Sequence, residues 1–347
     1  MRLLNKRQSI FAFLALFIFS SINANAQKAT EHYHLLNKVS LGGEGGWDYI
    51  SFDDSGRRLY ISHATHVIVY DVDNAKVVGD ISNTEGVHGI AFAPEFNHGF
   101  TSNGKSNSVL MFDLNTLDTL KRILVGQKPD AIIYDPFSKM IIVCNGKSEN
   151  ATLIDASTGN VKASIPLGGG PEFAVSDLMG HAYINIEDKN EVVDLDMKKF
   201  KVLHHWNLGG GEGPTGIDMD RKNHRLFIGC ANKLMVVVNS ENGKIISKLP
   251  IGIGVDAVIF DPKKSVALSS NGDGTLTVVR EHTPNKFEVE ENIVTQAGAR
   301  TEALDQKTGT LYFISADFGP APEATKDHPH PRPSILPNTF TLLKFGY

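Results

Sequence analysis

The sequence predicts an all-β protein, a seven-bladed β-propeller whose last blade is closed by the N-terminal strand. Three observations carry this. A segment of about forty residues recurs seven times, each copy holds four short β-branched runs, and the last copy lacks its fourth run while a matching one stands near the N-terminus.

Residues 1–26 come first in the chain and stand apart from the repeat. They open on Arg2, Lys6 and Arg7, continue through the apolar run IFAFLALFIF and close on ANA. This is the pattern of a secretory signal with an A-x-A cleavage site. The apolar run is too short to span a membrane, and no later segment approaches the ~18 consecutive apolar residues that a span needs. We therefore expect residues 27–347 to form one exported domain, periplasmic or secreted. Loss of the three basic residues leaves 31 Lys and Arg against 39 Asp and Glu. An acidic surface of this kind opposes general binding to nucleic acid or to anionic membranes.

The copies open at Asp48, His88, Asp130, Glu172, Thr215, Asp256 and Thr301, spaced 40, 42, 42, 43, 41 and 45 residues apart. A period in this range belongs to propeller blades or to helical repeats. Runs such as VIVYDV, TLIDA and LTVV, separated by Asp-Pro, Asn-Gly and Gly-rich turns, choose four antiparallel strands. In the seventh copy TEALDQ and TLYFIS supply two strands and FTLLKFGY the third. The N-terminal YHLLNKVSLGG matches the blade endings KASIPLGG and ISKLPIG, so it supplies the fourth and closes the ring.

The IPLG and LPIG blade ends, the SNGKSNSVLMFDL turn and the FDP hairpins resemble the YVTN-repeat, or YncE-like, seven-bladed propeller family over essentially the whole exported chain. The resemblance implies an exported propeller, for which a DNA-binding role is often assigned. Similar propellers serve as lactonases and lyases. A superfold does not fix an activity, which must come from a site.

Four antiparallel strands per blade put two loop sets on each face. The hairpins DDSGRR, DPFSKM, DRKNHR, DPKKSV and DQKTGT share one face and read as ordinary solvated turns. The other face receives the Gly-rich blade-entry loops. These deliver Asp48, His88, Asp130, Glu172, Thr215, Asp256 and Arg300 to the starts of the innermost strands. Convergent carboxylates with a histidine and an arginine make a candidate ligand site. His88, Asp130 and Glu172 have the residue types for acid–base chemistry. Arg300 is suited to a carboxylate or phosphate. Trp47, Asp48, Asp256, Asn103, Asn145, Asn271 and Asp317 complete the set of candidate ligand-binding residues. His63, His66 and His88, with Asp48, are candidate ligands for a divalent metal, although their spacing matches no zinc signature. Lys105, Lys147, Lys189 and Lys233 recur on the loop tips of the same face. Cys144 and Cys230 fall at equivalent places two blades apart, too far for a disulfide, and are expected as buried free thiols.

The Pro-rich stretch ADFGPAPEATKDHPHPRPSILPNTF lies between the second and third strands of blade seven. Residues 316–338 are therefore an enlarged loop anchored at both ends, and long loops of this kind are usually functional. It reads as a rim or lid over the channel, with Asp317 and Phe318 innermost and His328, His330 and Arg332 farther out. Three functions follow from this site for a monomer. The first is binding of a small polar or anionic molecule. The second is a metal-assisted or acid–base hydrolase or lyase, and the third a scaffold for protein or single-stranded nucleic acid.

Overall fold

In a computed structural model, which describes residues 32–323 and 333–347, the chain from Tyr33 forms seven four-stranded antiparallel sheets arranged as a propeller. The proposed signal segment and His328, His330 and Arg332 lie outside the described residues. In blades one to six the four strands follow one another in sequence. Blade seven takes Glu302–Asp305, Thr310–Ser315 and Thr341–Gly346 from the C-terminal end and His34–Ser40 from the N-terminal end. No helix among the described residues is long and apolar enough to cross a membrane.

Burial explains why the repeat is written as it is. The second and third strands of each blade are packed on both faces, so they read as continuous apolar runs: Arg58–His63 and His66–Asp71 are buried at nearly every position. The outermost strands meet solvent on one face and alternate, as Lys286–Val294 does along its whole length. Blade faces stack through apolar clusters. Between blades seven and one, Ile50, Leu59 and Ile61 meet Tyr312, Ile314 and Leu342. Polar stitches supplement them. Ser102 donates to the Asp130 carbonyl, Asn185 to the Thr215 carbonyl at 2.6 Å and Ser270 to the Arg300 carbonyl at 2.7 Å, each from one blade to the inner strand of the next.

The seam that closes the ring is held at four levels. His34–Ser40 pairs with Thr341–Gly346, and the rings of Tyr33 and Tyr347 lie 4.1 Å apart. The Thr301 hydroxyl donates to the Asp48 carbonyl at 2.5 Å. The Arg57 guanidinium donates to both oxygens of Asp305 at 2.8 and 2.7 Å. Burial alone would raise the Asp305 carboxyl; the Arg57 fork, the Thr308 hydroxyl and the Lys307 N–H more than offset it and hold it at about 2. The two cysteines are free and buried, and burial pushes both thiols up.

Candidate functional site

A backbone irregularity at the start of the inner strands presents the site. The ladder between first and second strands shifts register between Val87 and Ile90, Pro129 and Ile132, Pro171 and Ala174, Pro214 and Ile217, and Val255 and Ala257. His88, Asp130, Glu172, Thr215 and Asp256 each fall inside one of these shifts. A bulge bends its strand and re-aims the side chain it carries.

The result is a chain of charge contacts around the channel mouth. Arg300 donates to Asp256 and, at 3.2 Å, to Oδ1 of Asp48. The other oxygen of Asp48 lies 2.5 Å from Nδ1 of His88, which is also 3.5 Å from Oδ1 of Asp130. The Tyr49 hydroxyl donates to that same Asp130 oxygen at 3.4 Å. One ligating atom each from Asp48, His88 and Asp130 lies within 4.8 Å of the other two, the one such trio of metal-ligating side chains among the described residues.

Electrostatics follow from packing acids together out of water. Burial, then the neighbouring charges of Asp130, Glu187 and Asp256, push the Glu172 carboxyl up to about 9, so it is protonated at neutral pH. Burial raises Asp256 even though Arg300 opposes the shift, and burial also raises Asp130 against the opposing charge of His88. For His88, burial favours the neutral ring, but the Asp48 hydrogen bond and the charges of Asp130 and Asp48 outweigh it and raise the imidazole. The mouth is thus acid-rich, and among the described residues its one guanidinium, that of Arg300, is already paired with two carboxylates.

Other candidate residues are placed differently. Asn103, Asn145 and Asn271 are fully buried and bonded inside their own blades: Asn145 donates to Asn150 Oδ1 at 2.8 Å and Thr152 at 2.9 Å, Asn271 donates to Thr275 and Thr277, and Asn103 accepts from Thr101. His63 stacks on Phe340 at 4.2 Å, with neither ring nitrogen hydrogen-bonded, and burial lowers it to about 4. His66 contacts the His63 ring edge and pairs with Asp80 at 3.5 Å, so neither histidine joins His88 in the trio. Trp47 is wedged against Phe318 and Phe340, 6.0 and 5.5 Å away. Asp317 is exposed at the foot of the long loop, where it accepts from Gln296 at 3.3 Å. The two feet of that loop pair through Phe318 and Ile335, and Asn338 donates to the Gly43 carbonyl in the first entry loop. Lys105, Lys147, Lys189 and Lys233 are exposed, and Lys189 pairs with Asp188 at 2.8 Å.

Sequence reasoning missed two features of the channel. Tyr49 of blade one stacks on Phe173 of blade four, centroids 4.6 Å apart, and burial with the surrounding carboxylates raises its hydroxyl. Glu302 is only 5 % exposed and neither of its oxygens is hydrogen-bonded. A signal for it was present. Two residues after each ring position the other copies carry Ile50, Ile90, Ile132, Ala174, Ile217 and Val258, and only the seventh carries an acid.

No family model and no curated protein matches the chain. Solved structures do. A chain of hydrazine synthase from Kuenenia stuttgartiensis is similar with a TM-score of 0.69 and 15% identity, covering 79% of this chain and 94% of that one. A chain of the mitotic checkpoint complex is similar with a TM-score of 0.74 and 12% identity, covering 99% of each. At such identities the likeness establishes the β-propeller fold and nothing about the site.

Proposed function

We propose that this protein is an exported binding propeller of the YVTN type, whose channel mouth takes a small polar ligand of positive charge, a divalent metal ion first of all. The observation that carries this reading is the Asp48–His88–Asp130 trio inside an acid-rich ring. An imidazole with two carboxylates is a donor set suited to first-row divalent ions. It also turns the expected ligand away from anions, because Arg300, the group suited to hold one, is engaged by Asp48 and Asp256.

The test is metal content by mass spectrometry together with melting curves in calcium, manganese and zinc. One ion per chain and a raised melting temperature are expected, both lost in His88→Ala and in Asp130→Asn. If the wild-type chain neither holds an ion nor responds to any of the three, this assignment of the mouth fails.

A second reading, a metal-assisted or acid–base hydrolase or lyase, draws on Glu172. A carboxyl held protonated at neutral pH can donate a proton to a leaving group, while an ion on the trio would polarise the bond to be broken. A screen of lactones and esters with the metal-loaded protein tests it, and Glu172→Gln should abolish any turnover while leaving the ion bound.

A further inference from the structure

The opposite end of the channel is a cavity of about 570 Å³, within the range of small-molecule sites. Its wall is built from the later residues of the inner strands and from the hairpins that follow them, so it opens on the face away from the trio. The wall is mostly apolar, with Phe92 and Tyr134 among its aromatics; Glu95, Asp218 and Glu302 are its acids, and among the described residues no Lys, Arg or His contributes. At its edge the hairpins of blades three and four expose Phe137, Leu178 and Met179, at 42%, 48% and 54%.

Glu302 is out of place by every rule of packing. The equivalent position in five other blades is Ile or Val and in the sixth Ala, all buried. A buried carboxyl without a partner destabilises a fold, and it persists where something else uses it. The other acids of the wall are engaged. Asp218 accepts from the N–H groups of Met219 and Phe260, each at 2.8 Å, and Glu95 accepts from the Tyr134 hydroxyl. Glu302 lines the cavity with both oxygens unsatisfied.

We propose that this cavity is a second binding site, for a small organic amine whose apolar body fills the Phe92–Tyr134 wall and whose ammonium pairs with Glu302. The aromatic faces suit a cation, and the absence of any basic residue from the wall excludes an anionic amphiphile. Burial, and after it the charge of Asp218, raises Glu302 far above the ordinary carboxylate range. Burial thus favours the neutral acid in the free site. An arriving ammonium displaces that proton to solvent, forming the ion pair with one proton released for each ligand bound.

Calorimetry with phenethylamine tests this, with 2-phenylethanol and 3-phenylpropanoate as neutral and anionic probes of similar shape. Saturable amine binding is expected, stronger at pH 8 than at pH 6, with a heat that varies with the buffer's ionisation enthalpy. Glu302→Gln should weaken it at least tenfold, and Glu302→Ile should abolish it while raising the melting temperature. Asp130→Asn, which removes a metal ligand at the other mouth, should leave it unchanged. Absence of amine binding, equal binding of the alcohol or the acid, or full affinity in Glu302→Gln would each overturn the proposal.

Discussion

Tyr49 and Phe173 stack across the propeller. The two residues belong to blades one and four, which are not neighbours in the ring, so their contact must cross the central channel. The pair stands one residue beyond the ring of Asp48 and Glu172 and one residue before the positions, such as Ile50, that line the cavity at the other end.

Tyr49→Leu should remove this contact. Loss of the stack and of part of the buried ring area should cost about 1–3 kcal/mol, read as a lower midpoint in urea denaturation.

Acid should attack the seam between blades one and seven. Asp305 is held at about 2 against an ordinary value of 3.8, so its contribution is fully present above pH 4 and disappears as pH falls from about 4 to about 2. The shift corresponds to about 2 kcal/mol. Melting temperature measured from pH 5 to pH 2 should fall less steeply in Asp305→Asn than in the wild type. Arg57→Met, which strands the buried carboxylate, should cost more, about 3–5 kcal/mol at neutral pH.

Glu172 should act with the opposite sign. Its value in the folded chain, about 9, lies above the ordinary 4.5, so the folded state binds the extra proton between those limits and stability falls as pH rises through them. Glu172→Gln keeps the shape and cannot ionise. The variant should therefore lose less stability than the wild type between pH 5 and pH 9, and equal slopes would show that Glu172 ionises freely.

His63 offers a third pH signature. Its folded value near 4, against 6.5, means that stability is lost as pH falls from about 6.5 to about 4, by up to about 3 kcal/mol. With both nitrogens unpaired and the ring flat against Phe340, His63→Phe should be tolerated and should remove that acid lability. Chemical denaturation at pH 7 and pH 4.5 measures both effects.

Much of the architecture could be read from the chain because it is repeated. Seven aligned copies reveal the strand order, and the missing run after FTLLKFGY reveals the closure. The ring of entry residues was legible for the same reason. Side-chain direction was not. Asn145 opens the Asn-Gly loop CNGKSEN, which suggests an open mouth, yet the blade turns its amide inward onto Asn150 and Thr152, a choice made by neighbouring strands. Tyr49 and Phe173 occupy equivalent places in their copies, but nothing local says that two rings three blades apart will meet. Glu302 was visible as a break in an Ile column, and its meaning emerged only with the cavity beside it.

The N-terminal strand of blade seven places the most distant parts of the chain in one ladder, with His34 opposite Gly346. Such a pairing forms only after nearly every other residue has been delivered, and its closure entropy is the largest in the molecule. Until that moment blades one and seven each present a bare flank. A circular permutant that begins at blade two and joins Tyr347 to Tyr33 through a short turn would convert this last contact into an ordinary hairpin, moving the vulnerable step of assembly to a different seam without altering the finished ring.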